Sequence, residues 1–308
     1  MFRLCLIFAF TFFSCSTTKT LQKYNFDTFQ DIANNLGAFS NSHLEKDGPF
    51  KIELKENFKV QQGRNPIVAD VYLPDLQGPA PVAIFQHGNH SYKEAHRFQA
   101  RRLATWGFIA LTVQQKNSNN WINNGKNLSR FVKNLYVAKN IAKHPINNNN
   151  IVLIGHSFGG SAVTIAASNG APVSGLILLD PAVVADSVLD DMSKVHQPVM
   201  LLGADKNIFK SKRRFQFFNR ISGSMGEISV WKATHDDAQY PSMFSIHAFG
   251  IDPYTDSKKQ DTFLKAITTT ALSLAVNKNL KFAWSHFKYD IRRGELRYPR
   301  KRAALLGE

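Results

Sequence analysis

The sequence predicts an α/β protein, with a mostly parallel central sheet and helices on both faces. Predominantly apolar runs of strand length recur along the chain: Val82–Gln86, Phe108–Val113, Ile151–Ile154, Ser174–Leu179 and Pro198–Leu202. Continuous apolar runs are what strands covered on both faces require. Helix-compatible stretches separate them, at Glu94–Trp106, Leu128–Lys143 and Ser161–Ala167, and that alternation defines the class. With 308 residues, 44% hydrophobic and 12% aromatic, the chain can bury one large core.

Thr17–Gly48 is polar with scattered aromatics, and a short helix over Thr28–Leu36 is expected to cover the core. Phe50–Val60 and Pro66–Leu73 alternate polar and apolar residues, as an antiparallel hairpin at a sheet edge does. Gly107 ends the helix that starts at Glu94. Gln114–Lys126 reads as a long polar loop, in which Trp121 either walls a pocket or packs locally. His144 is expected to cap the helix ending at Lys143, with Pro145 and Asn147–Asn150 as the break after it. Glu227–Trp231 forms the last strand and Phe263–Val276 the last helix.

The run Ile151-Val152-Leu153-Ile154 leads directly into Gly155-His156-Ser157-Phe158-Gly159, and a helix-compatible run follows. A serine hydroxyl becomes a useful nucleophile when it stands clear of the chain beside a base, with donors ready for the oxyanion it generates. A sharp turn between strand and helix provides this, and the two glycines remove side chains that would collide there. Ser157 is therefore the candidate nucleophile.

A base and an orienting acid must come from other strand ends. His235 lies in the loop after Glu227–Trp231 and is the candidate base, with His247, twelve residues further on, as its rival. Asp236 and Asp237 are expected to be solvated. Asp180 and Asp205 both follow strands at the end of the sheet where ligands bind, so two carboxylates compete for one role. The acid must be an anion, since it stabilises the imidazolium.

Taken together, Gly155-His156-Ser157-Phe158-Gly159-Gly160, Leu178-Leu179-Asp180 and His235 resemble the α/β hydrolases, in particular the platelet-activating-factor acetylhydrolase and chlorophyllase-like (dienelactone-hydrolase-related) branch. Phe85-Gln86-His87-Gly88 and Trp106-Gly107-Phe108-Ile109-Ala110 match that branch as well, and the likeness spans Val82 to Phe244. It implies the chain order Ser, Asp, His, with spacings of 23 and 55 residues (180−157 and 235−180). In the commonest layout of these hydrolases the acid falls near Asn207, a neutral amide. The branch instead places it at Asp180, with Asp205 as the alternative. The resemblance also implies an oxyanion hole from the backbone N–H groups of Asn89 and Phe158, with His87 holding its loop in shape. Gln114-Gln115-Lys116 depart from the branch, which has a charged residue there.

Met1-Phe2-Arg3 and the apolar run Leu4–Phe13 read as a signal peptide. Ser14-Cys15-Ser16 resembles a lipobox, with Phe12 where Leu is preferred, which makes Cys15 the candidate lipidation site. The expected divisions are a signal at 1–15, a tether at 16–48, the α/β-hydrolase domain at 49–278 and a basic extension at 279–308. Both cysteines, Cys5 and Cys15, lie in the signal segment, so the rest has no thiol for catalysis or metal binding. The net charge of +15 points to an anionic partner. No nucleic-acid motif is present, and the partner expected is an anionic membrane surface of a bacterial envelope. The tail from Lys281 to Arg302 interleaves basic and aromatic residues, which suits such a surface or a solvated extension folded back on the domain.

The expectation is an exported, lipid-anchored serine ester hydrolase, otherwise periplasmic or secreted, acting on a small-molecule or lipid ester with no metal or organic cofactor. An acyltransferase using the same residues, or a binding protein on the same scaffold, are the alternatives.

Overall fold

A computed structural model describes residues 26–60, 66–115, 120–206, 212–241 and 255–299. The chain opens with α1 (Phe29–Asn34) and α2 (Asn41–Leu44), then β1 (Ile52–Val60), β2 (Ile67–Pro74) and β3 (Ala80–Gln86). There follow α3 (Arg97–Thr105), β4 (Ile109–Gln114), α4 (Trp121–Ala138), the short β5 (Asn140–Ile141) and β6 (His144–His156). After the nucleophile turn come α5 (Phe158–Ser168), β7 (Gly175–Leu179), α6 (Ser187–Met192), β8 (Val199–Ala204), α7 (Lys212–Arg220) and β9 (Met225–Val230). The last described elements are α8 (Ser257–Asn277), α9 (Lys281–Arg292) and β10 (Leu296–Arg297).

The sheet runs β1-β2-β4-β3-β6-β7-β8-β9-β10. β4, β3, β6, β7, β8 and β9 are parallel, while the β1–β2 hairpin and β10 add antiparallel edges. Alternation along the strands decides which helices cover which face. Phe85, Ile154, Ile177 and Leu179 join Phe29, Trp106, Phe263, Ile267 and Phe287 in one core. Ile84, Leu153, Leu176 and Leu178 join Phe131, Val163, Val188 and Phe217 in the other. The expected mostly parallel sheet with helices on both faces is therefore present.

Several local expectations need correction. The helix placed at Leu128–Lys143 begins seven residues earlier and ends at Ala138, where Lys139 turns left-handed at φ 57°. Trp121, expected in a loop, opens that helix, and its N-cap Asn120 accepts a hydrogen bond from the Asn123 N–H at 3.0 Å. His144 caps no helix. It pairs with Ile141 in a small hairpin, and the asparagine run belongs to β6. Asparagine's tolerance for turns suggested a break; the run instead lies within β6 at a register shift, between Ile146, which pairs with Ala80, and Ile151, which pairs with Val82.

The described parts of the segments drawn as tether and extension, 26–48 and 279–299, pack into the same core. Phe29, Ile32, Leu36 and Leu44 are buried on one side, and Ala283 and Phe287 on the other. In α9 the aromatic residues Phe282, Trp284 and Phe287 pack against the core while Lys281, Lys288 and Arg292 stay exposed. The tail is thus an amphipathic helix closing the domain, so positions 48 and 278 mark no edge of the packed unit. The buried Lys265 of α8 joins both ends, donating to Asp290 of α9 at 2.7 Å and to Glu45 after α2 at 2.9 Å.

No described helix is long and apolar enough to cross a membrane. The signal segment, Cys15 and Arg300–Arg302 lie outside the described residues.

Phe287 is fully buried against α8 and the sheet. Phe287→Ala should cost about 3–5 kcal/mol of unfolding free energy in a urea titration, whereas a loss below about 1 kcal/mol would mean that α9 is a dispensable appendage.

Candidate active site

The parallel register brings the strand ends into line. Gln86 of β3 pairs with Gly155 of β6, His156 with Leu179 of β7, and Leu179 with Leu202 of β8. The residues just beyond these pairs, His87, Ser157 and Asp180, therefore emerge at one edge of the sheet.

Ser157 occupies the turn between β6 and α5 at φ 53°, ψ −124°, a conformation that costs free energy for a residue with a side chain. Backbone bonds pin it there: its N–H donates to the Leu179 carbonyl at 3.1 Å, and its carbonyl accepts from the N–H groups of Gly160 and Ala182 at 2.9 and 3.0 Å. Gly155 and Gly159 are needed for space. A Cβ on Gly155 would lie 2.4 Å from the Gly159 carbonyl oxygen, and one on Gly159 would lie 2.3 Å from that of Gln86. The loop after β3 rests on the turn, since a Cβ on Gly88 would come within 2.7 Å of Ser157 Cβ. Asn89 follows Gly88 directly, and Phe158 is the first residue of α5, where helix N–H groups have no intrahelical partner.

Asp180 and His235 meet. Nδ1 of His235 donates to Oδ2 of Asp180 at 2.7 Å, both side chains being almost wholly buried. This bond holds the neutral imidazole in the tautomer whose Nε2 carries the lone pair. Asp180 itself sits at φ 37°, and its Oδ1 accepts from the Ala204 N–H at 3.0 Å and from an Arg214 guanidinium nitrogen at 2.6 Å. Burial alone would raise the Asp180 carboxyl. The Arg214 charge and the bond from His235 outweigh it and hold the group below the ordinary carboxylate range, so it is an anion at neutral pH.

His235 opens a single helical turn, His235–Ala238, whose own bonds fix it. Asp237, expected to be solvated, is buried and accepts from the Thr234 N–H and hydroxyl at 2.7 and 3.0 Å, and from the Asp256 N–H at 2.7 Å. Gln99 donates to the Ala238 carbonyl and Gln260 to that of Gln239, both at 2.9 Å, while Ser91 of the β3 loop donates to the Gln239 side chain at 2.7 Å.

The rival acid, Asp205, points elsewhere, pairing with Arg297 of β10 and accepting from the Lys232 N–H at 3.2 Å. Asn207 and the rival base His247 lie outside the described residues. His87 is tied to its own loop, Nδ1 donating to the Gly88 carbonyl at 2.8 Å. Trp121 is buried beside it, with ring centroids 5.8 Å from His87 and 6.2 Å from Phe158.

Sequence reasoning missed two partners. His156, the variable residue of the Gly-x-Ser-x-Gly turn, lies with its ring centroid 4.4 Å from that of His235 and donates from Nε2 to the His235 carbonyl at 3.1 Å. Arg214 sits in a basic run that reads as surface. Its signal was indirect: Glu227 is a charged residue inside a buried strand, and such a residue needs a cation nearby.

Residues 69–274 match the model of the Alpha/beta hydrolase family, which is 206 of the 308 residues (274−69+1) and includes Ser157, Asp180 and His235. The chain belongs to this family, which is a scaffold of hydrolase type. No curated protein matches the chain. Among the described residues, no group of three or more His, Cys, Asp or Glu side chains is arranged to hold a metal ion.

Burial pushes His96 down to about 4, and it pushes His156 well below the usual histidine range. The unfolded chain binds protons at both below about pH 6.5. Between there and about pH 4 the unfolded state therefore holds more protons, and stability falls as the pH is lowered through that window. Urea titrations should show this decline, and His96→Gln should make it shallower. A flat stability profile over the window would contradict burial of both histidines as neutral groups.

Proposed function

We propose that the protein is a serine ester hydrolase in which Ser157 is the nucleophile, His235 the base and Asp180 the orienting acid. The observation that carries this reading is the 2.7 Å bond from His235 Nδ1 to an Asp180 carboxylate held anionic, at the edge of the sheet where Ser157 stands on a strained strand-to-helix turn. Ser157 Oγ attacks the acyl carbon of the ester as its proton passes to His235 Nε2. The tetrahedral oxyanion is held by the N–H groups of Asn89 and Phe158. Collapse of that intermediate breaks the ester C–O bond, and the proton on His235 goes to the departing alcohol. Water then attacks the acyl-enzyme, His235 takes one of its protons, and release of the acid returns that proton to Ser157. Asp180 stays ionised throughout and stabilises the imidazolium.

Within the family, the reading places the chain in the platelet-activating-factor acetylhydrolase and chlorophyllase-like branch. An acid directly after the strand that follows the elbow helix supports this, because Asp180 comes immediately after β7. The proposed setting is an exported protein anchored through Cys15 at an anionic envelope surface, in keeping with the signal-like N-terminus and the net charge of +15.

Two experiments test these statements. On a series of p-nitrophenyl esters from acetyl to long chain, Ser157→Ala and His235→Ala should each lower kcat by about 10⁴-fold or more, and Asp180→Asn by roughly 10³–10⁴. Asp205→Asn should stay within about threefold of the unmodified protein, since its carboxylate serves β10. A protein inert on every ester, or an active Ser157→Ala variant, would remove the hydrolase reading and favour a binding protein on this scaffold. Palmitate labelling in cells should mark the unmodified chain and not Cys15→Ser; equal labelling of both, or none, would remove the lipid anchor.

A further inference from the structure

Behind the Asp180–His235 pair lies a second pair of buried charges that the proposed chemistry does not itself use. Arg214 reaches from α7 under the end of β8, and its guanidinium is almost fully buried. One nitrogen donates to Asp180 Oδ1 at 2.6 Å and to the Ala204 carbonyl at 2.7 Å, and another lies 3.4 Å from the Ser229 hydroxyl. Its Nε stands 3.7 Å from Glu227 of β9, itself 2% exposed. The space for this guanidinium is built into the strand. A Cβ on Gly203 would fall 2.6 Å from one guanidinium nitrogen and 2.7 Å from the central carbon.

The charges sum in an informative way. Counted in their ionised forms, Asp180 and Glu227 bring two negative charges and Arg214 one positive, so the cluster sums to −1 with His235 neutral and to 0 with His235 protonated. The proton transfer required for catalysis brings this group to neutrality in a region of low dielectric, where charge balance weighs most.

We propose that Arg214 and Glu227 are positioning residues for the candidate triad: Arg214 fixes Oδ1 of Asp180 so that Oδ2 faces His235, and the Arg214–Glu227 pair sets the pH at which the Asp180–His235 pair takes up its proton. Arg214 opposes that protonation and Glu227 favours it. The inference rests on His235 acting as the base, as in the proposed function.

Among the described residues, other titratable groups lie near the pair, and Asp236 directly follows His235 in the chain. His156 of β6 packs on the His235 ring and is held neutral by burial, with His96 beyond it. Asp237 and Asp256 lie on the far side of the His235 turn, joined to each other through the Asp256 N–H. Asp205 is paired with Arg297 at the end of β8. None of these residues is altered in the variants below.

The test is the acidic limb of kcat/KM against pH on p-nitrophenyl acetate, which reports the free enzyme's base. In parallel, an NMR titration of labelled histidine in the Ser157→Ala background follows His235 without needing turnover. Arg214→Gln should move the limb up by about one pH unit, because a cation beside the pair is removed, and Glu227→Gln should move it down. Gly203→Ala, which displaces the guanidinium without touching a charge, should move it in the same direction as Arg214→Gln. Should the single variants not fold, Arg214→Met with Glu227→Leu leaves neither ion orphaned by the other and should still raise the limb, by less than Arg214→Gln alone. Shifts of opposite sign for Arg214→Gln and Glu227→Gln establish the proposal. Lower rates with an unmoved limb, or shifts of the same sign, overturn it. If the unmodified protein cleaves no ester, the hydrolase reading fails separately, and the NMR titration still decides whether the two charges govern His235.

Discussion

Everything at this site depends on keeping one carboxylate ionised where water does not reach it. Asp180 is 1% exposed, and burying a lone carboxylate costs several kcal/mol even after the protein relaxes around it. The fold offsets that cost with three donors of different origin. The Ala204 N–H comes from β8, the guanidinium of Arg214 from α7 and the imidazole N–H of His235 from the turn after β9. Register in the sheet sets the first, and helix packing sets the second. The third serves chemistry, because the bond that satisfies the carboxylate also fixes the imidazole tautomer. Support of the acid and orientation of the base are one arrangement seen from two sides.

The same constraint explains what could be read from the chain beforehand. The strands of the parallel half were legible because strands covered on both faces have to be apolar, and Ile151–Ile154 or Leu176–Leu179 allow few other readings. Ser157 and Asp180 were legible because they stand at the ends of such strands, and His235 because it lies in the loop after the last strand the sequence shows. Arg214 was not, since it lies among Lys210, Lys212 and Arg213, and composition alone cannot pick out one inward-facing arginine within a basic run. The asparagines before the nucleophile strand misled for a related reason. They lie inside β6 but between its paired residues Ile146 and Ile151, where the register against β3 shifts, so the break they suggested is an irregularity within the strand and not its boundary. The glutamines that hold the His235 turn, Gln99, Gln239 and Gln260, are unremarkable in sequence. They acquire meaning only in the folded chain, where Gln99 meets Ala238 across 139 positions, Gln239 meets Ser91 across 148 and Gln260 meets Gln239 across 21.

The tail illustrates how one composition serves two environments. Interleaved aromatic and basic residues suit a lipid interface, where rings enter the apolar layer and cations face the headgroups. In α9 Phe282, Trp284 and Phe287 meet the core, and Lys281, Lys288 and Arg292 face solvent together with Tyr289. The periodicity is the same in both settings, since an amphipathic helix specifies only that its two faces differ. The partner in this chain is its own core, and β10 beyond the helix confirms the attachment by pairing with β9.

The clasp at Lys265 bears on how this molecule comes into being. Its partner Glu45 is 220 residues away in sequence, and Asn41, in the same cluster, donates to Asp290 across 249 residues. In a chain made in order Glu45 precedes Lys265 and Asp290 follows it, so the ammonium has its first partner before its second exists. The contacts of Asp290 form only once α9 has been made. Loops of this size close late and slowly, because their entropy is lost before any contact repays it. The clasp is therefore completed from its C-terminal side, and a chain cut short before α9 would leave Lys265 without Asp290 and the core without the cover of Ala283 and Phe287.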